Sequence, residues 1–297
     1  MNRDEALKKS DDALQELAHT LQQGKSEQLL EYLGMLSRFH HYSFCNLILI
    51  YTQFPEATHV AGYGRWRELN RFVRKGEKGI AILAPLTRKR FRKDAEREGI
   101  DPPCAASESS NDSDTRDTTT PKLLYGFRIV YVFDVSQTEG QELPDFASLG
   151  GDPGLHVPHI ESVIRDRGIE LVFENQLPGN ANGMSQGGKI TILDSLPAAQ
   201  RFSTMVHELA HEMLHWKDPE RQLSKALVET EAEAVAYVVC RAVGLDCSTR
   251  ASDYIQLWSG DSRILLQSLE KIRTVASTIL LELDSLAQQK KEVLHVA

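Results

Sequence analysis

The chain has 297 residues and a formal net charge of −8, with 41% hydrophobic, 26% charged and 7% aromatic residues. That composition is globular, and the length suggests two domains, each large enough for a core of its own. No window approaches the ~20 apolar residues of a bilayer span, and the charged start MNRDEALKKSDD lacks the apolar stretch of a signal peptide. Cys45, Cys104, Cys240 and Cys247 show no CxxC spacing and read as reduced thiols. A membrane protein, a secreted disulfide scaffold and a cysteine zinc finger are thereby excluded, and a cytoplasmic protein is expected.

Residues 4–54 read as helical. Leu7, Leu14, Leu17 and Leu21 recur at helical spacing, Gly24 breaks the run, and Leu29, Leu30, Leu33 and Leu36 form a second stripe. Ser43 is placed to cap a third helix that Pro55 ends. GYGRWRELN reads as a turn, after which Gly79–Ala84 and Leu123–Phe133 read as paired strands. Between them, residues 101–121 hold almost no large apolar side chain and are expected to be a disordered excursion. The window 60–93 carries +9 while the rest of the chain carries −17. Such a concentrated basic stretch is either an electrostatic footprint for a polyanion or a solvated face beside a basic hairpin tip.

Gly and Pro concentrate between Glu139 and His159, which suggests a linker over 141–158 between domains 1–140 and 159–297. Beyond it come a strand at Ile169–Phe173 and a hairpin in NGMSQGGKITIL turning at Gly187-Gly188. Pro197 opens a helix to about Trp216, and a second runs from about Ser224 to Val243, ended by Gly244. A long amphipathic helix over 262–289 follows. The fold class expected is therefore α+β, in two domains.

The sharpest chemistry lies in His207-Glu208-Leu209-Ala210-His211. Residues four apart share a helix face, so both imidazoles reach one ion while Glu208 stands beside it as the catalytic base. Zinc needs a third protein ligand and an open position. His215 fails, because eight helical residues rise about 12 Å from His207; it reads as a surface histidine or one that supports a ligand. The next helix offers Glu229, Glu231 and Glu233. Glu229 and Glu233 share a face, whereas Glu231 lies about 200° round and faces away. Either Glu229 is the ligand with Glu233 orienting a histidine, which is preferred, or Glu233 is the ligand. A His₂Glu site implies metal-assisted hydrolysis, with Zn2+ the expected ion and Mn2+ an alternative. No GxSxG and no GxxxxGK[ST] is present.

HELAH followed by three glutamates resembles the gluzincin-type metallopeptidases, including the ImmA/IrrE group, over roughly residues 165–290. In that group the second helix carries a ligand glutamate with an acidic residue or Asn four later, which implies Glu229 as ligand and Glu233 as its neighbour. The strand at Lys189–Leu193 looks like the active-site edge strand that holds peptide substrates in such folds.

The first half has a separate signature. Tyr42-Ser43-Phe44-Cys45-Asn46-Leu47, Gly62-Tyr63-Gly64-Arg65-Trp66, Val73-Arg74-Lys75-Gly76-Glu77-Lys78-Gly79 and Val132-Phe133-Asp134-Val135-Ser136-Gln137-Thr138 resemble the N-terminal single-stranded-DNA-binding domain of the ArdC antirestriction family. With the metallopeptidase pattern behind it, the whole chain resembles that family. The resemblance implies a plasmid-encoded protein that shields incoming conjugative DNA from restriction in the recipient. The residues themselves agree with the binding part, since single-strand binders combine a cationic groove with aromatic faces on which bases stack. Arg65, Arg67, Arg71, Arg74, Lys75 and Lys78 supply charge, and Tyr42 and Tyr63 supply π faces. Trp66 reads as a core residue, and Arg88–Lys93 as a DNA contact or a soluble flank.

Three readings follow: a single-strand binder carrying an active peptidase whose protein substrate is unidentified, a DNA-protecting module with an idle metal site, and a regulatory peptidase that cleaves a repressor. An intact Glu208 speaks against the second.

Overall fold

The computed structural model describes residues 2–22, 27–89, 122–141, 153–216, 224–245 and 262–296. The disordered excursion expected at 101–121 and most of the 141–158 linker lie outside the described residues. The architecture is mixed α+β with small sheets: eight helices and eight strands among the described residues.

Three helices open the chain, α1 (Arg3–Gln22), α2 (Glu27–Arg38) and α3 (Phe44–Gln53). Ser43 holds the N-cap position of α3 but its hydroxyl makes no capping hydrogen bond. A first antiparallel sheet runs β1 (Val60–Gly62), β4 (Lys122–Asp134), β3 (Ile80–Lys89) in spatial order. The expected strand pair is present, with Ile80 opposite Val132 and Ile82 opposite Val130. β3 is thus an edge, and α3 covers it with side-chain amides. Asn46 Nδ2 donates to Leu83 O at 2.9 Å while its Oδ1 accepts from Leu83 N at 2.8 Å. Gln53 does the same at Ala81. Two positions of the open ladder are thereby satisfied from within, which reduces a pairing hazard.

The stretch read as a turn, GYGRWRELN, is instead a short helix, α4 (Tyr63–Glu68). Trp66 anchors it: the ring is buried and its Nε1 donates to Phe133 O at 2.9 Å. The tertiary contact, absent from local propensity, decides the conformation. β2 (Arg71–Val73) pairs with β5 (Thr138–Gly140) as a separate ribbon.

The helix α5 (Pro153–Asp166) starts inside the stretch read as linker. A second sheet follows in the order β6 (Glu170–Glu174), β8 (Lys189–Leu193), β7 (Gly183–Ser185). β8 is parallel to β6 and antiparallel to β7. The edge-strand expectation for Lys189–Leu193 is therefore corrected: with Ile190, Thr191 and Ile192 buried, β8 is the central strand. Its apolar alternation marks burial between neighbours, and sequence alone did not say on how many sides. The edge beside the site is β7.

The helices α6 (Ala198–Leu214) and α7 (Lys225–Ala242) form the expected antiparallel pair, and α8 (Ser262–Val296) closes the molecule. One hydrophobic cluster takes in Leu33 and Leu36 of α2, Val235 and Val238 of α7, and Leu269 and Ile272 of α8. The cores of segments 1–140 and 159–297 are thus continuous.

Candidate metal centre and nucleic-acid surface

On α6, Val206, Leu209 and Ala210 are buried and fix the helix rotation, which turns His207 and His211 outward into a cleft of about 720 Å3. α7 delivers Glu229 to the same point. His207 Nε2 and His211 Nε2 are 3.1 Å apart, and Glu229 Oε2 lies 3.5 and 3.6 Å from them. Ligand atoms of tetrahedral zinc, each at ~2.0–2.1 Å from the ion, stand about 3.3 Å apart. The three atoms therefore form a triangle of the right size for one divalent ion, and all three residues line the cleft.

Each histidine is held from behind. His207 Nδ1 is 3.2 Å from Glu233 Oε2. His211 Nδ1 lies 3.2 Å from His215 Nδ1, and His215 Nε2 lies 3.1 Å from Oε2 of Glu231, which is fully buried. One proton arrangement satisfies this chain. Glu231 accepts from His215 Nε2–H, His215 Nδ1 accepts from His211 Nδ1–H, and His211 Nε2 keeps its lone pair for an ion. Glu231 does face away from Glu229, as helical geometry requires, and the reason for its burial is His215.

Electrostatics follow from this crowding. Burial opposes a charge on His207, but hydrogen bonds with Glu229 and Glu233 outweigh it and raise its pKa to about 9. The same histidines hold Glu229 far below the usual carboxylate range. Glu208 is buried, and desolvation raises its pKa against the pull of His207 and His211.

The hairpin is tied to α6 by Glu212, a residue that the sequence reading missed. Its carboxylate accepts from Ser185 Oγ at 2.7 Å, Gly187 N at 2.9 Å and Gly188 N at 2.8 Å. Both glycines have positive φ (73° and 93°), as a two-residue hairpin turn demands. Gly183 brings β7 against the helix: a Cβ there would stand 2.6 Å from Thr204 Cγ2 and 2.9 Å from Glu208 Cγ. Because Gln186 N–H bonds Lys189 O and Leu193 N–H bonds Asn182 O, antiparallel alternation turns the backbone groups of Gly183 and Ser185 toward the free edge. That edge borders the cleft.

The expected DNA-binding residues are less uniform. Three cations have partners within the fold, Arg65 in an exposed pair. Arg65 pairs with Glu68 at 2.7 Å, Arg71 donates to Thr138 and Gln141, and Arg74 binds Glu77 and Ser136 O. Arg67, Lys75 and Lys78 are exposed and have no ion pair among the described residues. Tyr63 is exposed, whereas Tyr42 is half-buried, donates to Val60 O at 3.3 Å, and lines a cavity of about 360 Å3 with His41, His59 and Trp66. Exposed aromatics of the first half not singled out from sequence are Phe72, Phe127 and Tyr131. Tyr131 lies against Gly79, which follows Lys78. Strand alternation puts Phe127 and Tyr131 on one face, but only the structure tells which positions on that face are left open.

Taken together, the chain joins an aromatic and basic α+β segment to a helix-borne two-histidine, one-glutamate candidate metal centre. Residues 7–133 match the family model of the N-terminal domain of anti-restriction factor ArdC, so that segment is similar to an ArdC N-terminal domain. It is also 24% identical over 275 residues to the uncharacterized protein pXO2-81 of Bacillus anthracis, a match covering 85% of this chain and 46% of that protein. This chain thus spans about half the length of that relative. Among solved structures it is similar to the metal-free and Mn(II)-bound crystal structures of antirestriction protein ArdC from the R388 plasmid. The TM-scores are 0.45 and 0.43, with 18% identity over 82% of this chain and 86% and 85% of those chains. No helix among the described residues is long and apolar enough to cross a membrane.

Proposed function

We propose that this chain is an antirestriction protein of the cytoplasm that binds single-stranded DNA through its first half and hydrolyses peptide bonds at a zinc site in its second. The observation that carries the hydrolytic part is the 3.1–3.6 Å triangle of His207, His211 and Glu229 with Glu208 beside it. His207, His211 and Glu229 would hold a divalent ion, which when bound would supply Lewis-acid polarisation and a water nucleophilic near neutral pH. Glu208 takes the proton from the attacking water and delivers it to the leaving amine. Gly183 and Ser185 offer the backbone pairing by which an extended peptide is held at a sheet edge.

For DNA, the reading rests on uncommitted Arg67, Lys75 and Lys78 beside exposed Tyr63 and Tyr131, a combination that suits phosphates and stacked bases without sequence preference. Tyr131→Ala should weaken single-strand binding by ~1–3 kcal/mol and leave its salt dependence unchanged. The deciding comparison is wild type against Glu208→Gln in metal content, peptide hydrolysis, DNA binding and protection of DNA from a restriction endonuclease. Loss of hydrolysis with protection intact separates the two functions. Loss of protection with DNA binding intact makes proteolysis part of it, and hydrolysis that survives Glu208→Gln refutes the peptidase reading.

A further inference from the structure

A second group of metal-type donors stands away from the cleft. The turn after α2 carries His40 and His41, with ring centroids 3.9 Å apart and ring planes tilted by 44°. α8 passes this turn and is fastened to it by Ser277 Oγ, which donates to His40 O at 2.8 Å. On the same helix Asp284 brings a carboxylate to the histidines. One donor atom from each of His40, His41 and Asp284 lies within 4.8 Å of the others.

Two of these side chains have unmet needs. Both ring nitrogens of His40 are buried, and the nearby Ser37 backbone does not complete a full hydrogen bond with either. Buried polar atoms are seldom left so, and an ion or water is the usual reason. Asp284 is half-buried beside Leu283 and has no ion pair with Lys or Arg among the described residues. One cation answers both needs. His41 is exposed on the turn, so rotation of its side chain can close the spacing toward the ~3.3 Å of a tetrahedral site.

We propose that His40, His41 and Asp284 form a second metal site, taking a divalent ion of the zinc type, that pins the turn after α2 to the C-terminal helix. Two imidazoles and a carboxylate suit zinc and its neighbours better than magnesium or calcium. The ion joins a segment of the ArdC-type half to the last helix, so its effect is mechanical. It stiffens the junction and the adjoining cavity that His41 and Tyr42 line.

The test uses the full chain and is independent of the first site. The double variant His207→Ala/His211→Ala, dialysed after loading with Zn2+, should retain one ion per chain, and zinc should raise its thermal midpoint by several degrees. Adding His40→Ala or, as a milder change, Asp284→Asn should abolish both the retained ion and the midpoint shift, with circular dichroism confirming the fold. A folded double variant that holds no zinc overturns the proposal. So does zinc retention that neither His40→Ala nor Asp284→Asn alters, because the ion then sits elsewhere. Loss of the cleft ion alone bears on the first site and leaves this one standing.

Discussion

The two halves of the chain carry sequence signatures of different physical kinds. In the second half, the residues that stand out by spacing are those that face the cleft: His207, Glu208, His211, Glu229 and Glu233 all line it. In the first half, several signature residues hold the fold. Asn46 seals the β3 edge, Trp66 anchors α4, and Asp134 accepts from Thr58 N at 2.7 Å, His59 N at 3.0 Å and Ser136 N at 2.9 Å. Gln137 completes the knot by donating to Lys78 O at 2.9 Å, which fixes the basic loop. A metal centre needs particular donor atoms within 4 Å of one another, so chemistry fixes the motif. A nucleic-acid surface tolerates many arrangements of charge and aromatic faces, so what its motif records is chiefly the scaffold beneath.

That contrast is broken or sharpened first at Glu208. Glu208→Gln should keep the metal and lower peptide hydrolysis by ~10²–10⁴-fold, the usual share of general acid–base catalysis. His207→Ala should lose the ion itself. Equal metal loss in both variants would make Glu208 a ligand and undo the division of roles.

Next in size is Asp134. Removing it in Asp134→Ala strands three backbone N–H donors, each worth ~1–3 kcal/mol when buried and unpaired. Partial access of water to them makes a total loss of about 3 kcal/mol the expected outcome in urea unfolding. The folded fraction should bind DNA as wild type does. A binding loss without a stability loss would place Asp134 on the DNA surface and contradict its scaffold role. Desolvation opposes ionisation of Asp134, but those hydrogen bonds overcome it and its pKa is lowered. A carboxylate whose folded pKa lies below its unfolded ~3.9 contributes stability that is fully present above the unfolded value. The contribution is lost as pH falls through the folded one. The wild-type advantage over Asp134→Asn should therefore shrink below about pH 4.

A smaller effect tests what the sequence concealed. The HExxH face and the Glu229–Glu233 spacing were legible because helical periodicity alone puts those atoms together. The chain from His211 through His215 to Glu231 was not, since it joins the end of one helix to the far side of another. Glu212 under the hairpin turn and the edge position of β7 escaped for the same reason: both depend on how a sheet packs on a helix. His215→Ala and Glu233→Ala should each weaken metal binding by ~10–100-fold, the range for partners that orient ligand histidines. Glu229→Ala should lose more than either. An unaltered affinity in His215→Ala would reduce the chain of contacts to packing.

The smallest effects belong to the cations, and they separate surface from scaffold most finely. Sequence alone credited six cations from Arg65 to Lys78, whereas three of these are spent on Glu68, Thr138, Gln141, Glu77 and Ser136. If Arg67, Lys75 and Lys78 neutralise one phosphate each, affinity for single-stranded DNA should fall with salt at a log–log slope of about −2. Lys75→Ala or Lys78→Ala should flatten that slope by about 0.7 and cost roughly threefold in the change between 50 and 200 mM salt. Arg71→Ala behaves differently. Its guanidinium joins β2 to β5, so the variant should lose stability while the folded protein keeps the wild-type slope. A slope near −4 in wild type, flattened equally by Arg65→Ala, Arg71→Ala and Arg74→Ala, would mean that DNA displaces the intramolecular partners. The basic loop would then be read by the nucleic acid as well as held by the fold.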